Sequence, residues 1–179
     1  MLRNLLIITC LLATVVVAYG QKKKKNKEQQ EETAVSATID YRKTGSPMPP
    51  IRLVTPEGKT ITQKDVENDA NLLIMLFNPT CDHCQEETIL LAKNIYLFKK
   101  SKMLLMASEN MKDYLEFFEN STHVSQYPTM QMGLDSAKFI DKTFRFMDLP
   151  QINIYDKDRK LVRIFNGDTP LDSLKQYIE

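Results

Sequence analysis

Two cysteines two residues apart, Cys81 and Cys84 in LLIMLFNPTCDHCQEE (72–87), are the side chains whose type and spacing point to chemistry. Placed in the first turn of a helix, residues at i and i+3 share a face with Cβ atoms about 5–6 Å apart, close enough for a disulfide after a small adjustment. Such a bond closes a tiny ring and removes little unfolded-state entropy, so it serves poorly as a staple and well as a reversible redox couple. The reactive species in disulfide exchange is the thiolate. A helix N-terminus offers it unpaired amides and a partial positive charge, which makes Cys81 the attacking sulfur. His83 adds a donor and, when protonated, a charge that favours the Cys81 thiolate; Asp82 sets a carboxylate beside the same sulfur and opposes it. Stabilising the thiolate makes the disulfide more oxidising, so these opposed neighbours predict an intermediate reduction potential. Cys84, one turn in, is expected to be more buried and to keep its proton until a mixed disulfide is resolved. Glu87, three residues further along the same face, is either the acceptor of that proton or a solvated helix carboxylate, and spacing leaves both open. His83 has a plain reading too, as an exposed first-turn residue without redox effect. Glu86 and His123 read as surface.

The elements around this stretch follow from hydropathy. Leu72–Phe77 is a continuous apolar run bounded by polar residues, as in a central strand covered on both faces. Thr80 is a good N-cap type for a helix running from Cys81 to about Lys100. Ahead of it, Ile51–Val54 and Lys59–Ile61 read as short strands joined by a Pro56-Glu57-Gly58 turn, and Gln63–Asn68 as one or two helical turns. Behind it, Met103–Ala107 reads as a strand, Met111–Glu119 as a helix, Thr129–Met132 as a strand and Ser136–Thr143 as a helix. Gln151–Tyr155 and Lys160–Phe165 alternate about an Asp156–Arg159 turn, a β-hairpin, and Pro170–Ile178 closes the chain as a helix opened by proline. Strands alternating with helices and then a hairpin predict an α/β sandwich built on one mixed sheet.

At the N-terminus, Arg3, the apolar run Leu5–Ala18 and the small residues Ala18 and Gly20 form a signal peptide over residues 1–20, with cleavage expected before Gln21. The run has about 14 residues, short of the roughly 20 that a spanning helix needs. Lys22–Lys25 lie where positive charge resists translocation, so an uncleaved membrane anchor is the rival reading. Residues 21–44 are charged and amide-rich and read as a flexible linker, leaving 45–179 as the folded domain. The 24 basic residues include Arg3, and its removal leaves 23 of each sign. A chain this close to neutral has no electrostatic footprint for nucleic acid. With 42% hydrophobic and 26% charged residues, wholesale disorder and a multi-span membrane protein are excluded. Two histidines, His83 and His123, are too few for a His-rich zinc site.

The chain from Gly45 to Ile178 resembles the thioredoxin superfamily, most closely its exported TlpA/ResA-type thiol-disulfide oxidoreductases. The resemblance rests on GSPMPPIRLVTPEGKTIT (45–62), on C-D-H-C-Q-E-E (81–87), which matches the family's C-x-x-C-x-x-E, and on a proline before the terminal hairpin. It implies a thioredoxin-like three-layer sandwich with a central mixed sheet flanked by helices. It also implies a redox-active disulfide between Cys81 and Cys84, Glu87 as the assisting acid, and a cis-proline whose backbone meets the substrate. Pro150 (LPQINIY) takes that part; Pro128 (YPT) imitates the motif of shorter thioredoxins. The implied partners are protein thiols and disulfides, with a membrane thiol-reducing donor, and neither cofactor nor metal; a periplasmic or otherwise exported monomer is expected. Three departures bear on substrate range and rate: Thr80 replaces the usual aromatic residue before the first cysteine, Met75 replaces a buried aspartate, and there is no Trp. The rival activities are a peroxiredoxin-like peroxidase, for which neither cysteine has the required proline and threonine or serine before it, a metal-carrying module using the two thiolates and His83, and an interaction domain with an inert disulfide.

Overall fold

The structure is a computed structural model that describes residues 39–144 and 148–178. The signal-peptide expectation and residues 21–38 of the expected linker lie outside the described residues. The compact unit begins at Asp40. Tyr41 is buried, and the segment after it is pinned beside the terminal hairpin by Gly45 N–H to Leu161 O at 2.8 Å and Met48 N–H to Arg159 O at 2.8 Å.

The sheet has seven strands: β1 (Arg52–Val54), β2 (Thr60–Thr62), β3 (Leu72–Leu76), β4 (Lys102–Ser108), β5 (Met130–Asp135), β6 (Gln151–Tyr155) and β7 (Leu161–Asn166), in the order β2-β1-β5-β4-β3-β6-β7. β3, β4 and β5 pair in parallel, while β6 pairs antiparallel with both β3 and β7, and β1 antiparallel with both β5 and β2. The continuous apolar run at 72–76 is buried at every position because β3 lies between two strands and has both faces covered.

On one face Leu73, Met75, Met103, Leu105, Ile152 and Ile154 pack under three helices, α1 (Asp82–Lys93), α2 (Leu115–Thr122) and α3 (Leu171–Lys175). On the other face Leu72, Ile74, Leu76, Leu104 and Met106 pack under Met48, Ile51, Val66, Ile140 and Phe144. The mixed α/β sandwich expected from the sequence is therefore present, with one difference. The second face is roofed by a 3-10 turn at Gln63–Val66 and a π-helical turn at Ile140–Phe144, where the sequence predicts an α-helix over 136–143. Asp135 explains the late start. Its carboxylate accepts the N–H groups of Ala137 (3.2 Å) and Ile140 (2.7 Å), holding the chain in a turn before the helical residues begin.

Helix α1 also departs from the expected span. It ends at Lys93, because Asn94 caps it through a side-chain N–H to Leu90 O at 2.8 Å, and a 3-10 turn at Ile95–Leu97 then delivers Phe98 into the core. The Met111–Glu119 helix is displaced in the same way: a 3-10 turn covers Glu109–Tyr114 and α-helix follows only from Leu115.

Candidate functional site

The site is assembled at the carboxyl end of β3. After Leu76 the chain leaves the sheet, with Phe77 still tied to β4 by its N–H to Met106 O at 3.2 Å and its ring tilted at 41° against Phe118, centroids 4.4 Å apart. Asn78 shapes the next turn: its Oδ1 accepts the N–H and the hydroxyl of Thr80, both at 3.0 Å, and its carbonyl accepts Cys81 N–H at 3.0 Å. Thr80 is thereby used up in the turn and is not the N-cap. Cys81 is. It has extended backbone (φ −89°, ψ 119°), and its Sγ accepts the N–H of Cys84 at 3.4 Å. A sulfur in the N-cap position accepts a first-turn amide that no helix carbonyl can satisfy.

The buried stripe of α1 is Cys84, Glu87, Thr88, Leu91 and Ala92, at i, i+3, i+4, i+7 and i+8. The apolar Leu90 is exposed. Two polar residues thus occupy the inward face of a helix while an apolar one looks outward. Thr88 is satisfied, its hydroxyl donating to Cys84 O at 2.8 Å. Glu87 is not fully satisfied: Oε2 accepts Thr169 N–H at 3.2 Å, and Oε1 has no hydrogen-bond partner. With the residue only 4% exposed, loss of solvation raises its carboxyl from 4.5 to about 7, the Thr169 amide offsets part of the rise, and the charge of Asp168 adds to it.

The two sulfurs have unlike surroundings. Cys84 is fully buried, and burial, reinforced by its hydrogen bond with Cys81, pushes its thiol far above the ordinary range. Cys81 is partly exposed at the end of the helix. The arrangement therefore offers one sulfur that a visiting disulfide can reach and one protected behind it, with a carboxyl poised near neutrality on the same face.

Asp82 and His83 are exposed in the first turn. The imidazole Nδ1 of His83 lies 3.1 Å from the carboxylate of Asp168, a residue 85 positions away that the sequence analysis does not single out. Asp168 belongs to the loop Gly167-Asp168-Thr169 after β7. Hairpin arithmetic could have found it: β6 leaves from Pro150 and β7 returns antiparallel, so the residues after Asn166 must come back beside Pro150. They do, since Gly167 N–H donates to Pro150 O at 2.9 Å.

The cis peptide in the described residues is Leu149–Pro150, and Pro150 is buried. Because Gln151 pairs with Leu76, the Pro150 segment and the Cys81 loop emerge side by side from neighbouring strands. Pro128 lies elsewhere, lining a groove of about 780 Å³ between the β1–β2 turn and α2 with Val54, Gly58, Leu115 and Met132. None of the dithiol residues reaches that groove. Among the described residues no cluster of three or more His, Cys, Asp or Glu side chains is disposed to hold a metal ion.

No protein-family model and no curated protein matches the chain. Solved structures do. The thioredoxin domain of a thiol-disulfide oxidoreductase from Bacteroides vulgatus matches with a TM-score of 0.64 at 17% identity, over 76% of this chain and 99% of that one. A secreted disulfide oxidoreductase from Mycobacterium tuberculosis matches at 0.57 and 13%, over 70% and 92% of the two chains. StoA from Bacillus subtilis matches at 0.57 and 16%, over 73% and 97%. At these identities the likeness establishes the fold, which is thioredoxin-like.

Proposed function

We propose that the protein is an exported thiol-disulfide oxidoreductase that exchanges disulfides with other proteins through Cys81 and Cys84. The observation that carries the reading is the graded dithiol: a partly exposed sulfur capping a helix, a buried sulfur one turn later, and a buried carboxyl raised to about 7 on the same stripe. The Cys81 thiolate attacks one sulfur of a substrate disulfide; the S–S bond breaks and one substrate thiolate leaves, giving a mixed disulfide. Cys84 then gives its proton to the Glu87 carboxylate and attacks Cys81 Sγ. The second substrate thiolate departs, the protein ends oxidised and the substrate reduced by two electrons. A base titrating near the working pH is the efficient choice for that proton transfer. His83 and Asp82 act on the charge of the Cys81 sulfur from the first turn, and Pro150 offers its backbone to the substrate chain beside that sulfur.

A substrate of protein size fits the setting, because the reachable sulfur stands at the surface at a helix end and the 780 Å³ groove lies away from it. Export is supported by Arg3, the apolar run and the small residues Ala18 and Gly20 over residues 1–20, and by neighbours of the same fold that include a secreted enzyme. A protein dithiol donor at the membrane would return Cys81 and Cys84 to the reduced state. Paired variants test the roles. Cys81→Ser should abolish reduction of insulin disulfides and trap no substrate, whereas Cys84→Ser should accumulate mixed disulfides visible on non-reducing gels. Equal residual turnover in both variants overturns the assignment.

A further inference from the structure

Three consecutive residues after β7 each hold a different part of the site. Gly167 N–H donates to Pro150 O at 2.9 Å, Asp168 pairs with His83 at 3.1 Å, and Thr169 N–H donates to Glu87 Oε2 at 3.2 Å. Gly167 makes the tight turn possible, having φ +70°, in the left-handed region that side chains disfavour. Thr169 is buried and closes the turn on itself, its hydroxyl donating to Gly167 O at 3.2 Å. The loop is thus a clasp joining the proline segment, the exposed first turn of the dithiol helix and the buried acid.

We propose that Asp168 is a positioning residue that couples the charge on His83 to the protonation of Glu87. The inference rests on the dithiol reading for its meaning but not for its measurement. Its basis is that one carboxylate serves two neighbours. On its exposed side it meets the imidazole of His83, with the two side chains 65% and 64% exposed. The N–H of the next residue, Thr169, holds Glu87 Oε2, and from beside it the Asp168 charge pushes the Glu87 carboxyl toward the neutral form, as the least of three influences after burial and the Thr169 amide. The other titratable groups near this set are the exposed Asp82 and Glu86 of α1, the N-cap Cys81, and the buried Cys84, whose proton the Asp168 charge also helps to retain. Asp168 is the charged side chain brought in from a different element. When His83 is protonated it neutralises Asp168, and Glu87 gives up its proton more readily. When His83 is neutral, the bare Asp168 charge favours the protonated Glu87, which cannot take the Cys84 proton. An event at the rim is thereby transmitted to the buried acid that receives the Cys84 proton.

The test follows the Glu87 carboxyl itself by carbon-13 NMR of the reduced, glutamate-labelled full chain through a pH titration. Across so exposed a rim the effect should be small, a few tenths of a pH unit. Asp168→Asn should lower the Glu87 midpoint by that amount, and His83→Ala should raise it by a similar amount. In the double variant, replacing His83 should no longer move it. Asp168→Glu should retain most of the coupling, and high salt should shrink it. An unmoved midpoint in Asp168→Asn, or an equal His83 effect with and without Asp168, overturns the proposal. The titration needs no turnover. A Cys84→Ser protein that trapped no substrate while Glu87 titrated as stated would remove the exchange reaction and leave the coupling standing.

Discussion

Glu87→Gln should make the protein more stable at alkaline pH while leaving it unchanged in mild acid. The folded chain holds the Glu87 carboxyl at about 7 against an ordinary 4.5. Between those values the folded form still binds a proton that the unfolded form has released, so stability falls as pH rises through the window. At 1.36 kcal/mol per unit, the penalty fully developed above pH 7 is about 3 kcal/mol. Glutamine keeps the shape and the acceptor for Thr169 N–H but has no charge to desolvate. At about pH 8 the variant should gain up to about 3 kcal/mol, or on the order of 10 °C in Tm for a domain of this size. Near pH 4.5 the two proteins should coincide. The assay is urea unfolding of the reduced proteins at several pH values from about 4.5 to 8.5. Carboxylates held below their ordinary values by hydrogen bonds, as Glu57, Asp65, Asp69 and Asp172 are, act with the opposite sign. Their contribution is present above their unfolded values of 4.5 or 3.8 and is lost only as pH falls through the lower folded ones, outside the window. A wild-type stability that is flat from about pH 5 to 8, or the same slope in Glu87→Gln, refutes the argument.

Two further predictions concern the frame. Arg159 is buried and donates to the carbonyls of Val66, Ala70 and Asp156 and to Asn68 Oδ1, tying the hairpin turn to the start of β3. Arg159→Ala should cost about 3 kcal/mol or more by leaving buried carbonyls unpaired, read as a lower urea midpoint. Its reduction potential should hold, because this bracket is at the end of β3 remote from Cys81. Gly133→Ala should cost about 1–3 kcal/mol by the same assay. A Cβ there would meet Val54 O at 3.0 Å and Leu53 Cβ at 3.1 Å, where β1 crosses β5, and strand backbone yields little.

Strong, local signals in the sequence carried most of the fold. The apolar run Leu72–Phe77 pointed to a doubly covered strand, and the alternation at 151–155 and 160–165 about an Asp156–Arg159 turn pointed to a hairpin, although all five residues of its first strand are buried. Weak signals misled where two patterns overlapped. Apolar residues at 89–92 are continuous, so hydropathy does not choose the buried face of α1; the structure selects Leu91 and Ala92 with the polar Glu87 and Thr88. Short 3-10 turns at Ile95–Leu97 and Glu109–Tyr114 carry much the same residue preferences as α-helix, so those boundaries slipped. The dithiol and Glu87 lie within seven residues of chain and were visible as a motif. Asp168 was not, since its meeting with His83 is created by the return of β7, a tertiary event that no local pattern records.

The ladder between β3 and β6 has one more implication. Leu76 and Gln151 are cross-strand partners, so the two loops proposed to grip a substrate start from adjacent backbone positions. Neighbouring strands stand about 4.8 Å apart by amide geometry alone. The two loops therefore leave the sheet from positions fixed by main chain and indifferent to surface substitution. On that proposal, variation that widens or narrows the choice of client acts further out, at Thr80, His83, Leu149 and Asp168, while the roots of the two loops keep their spacing.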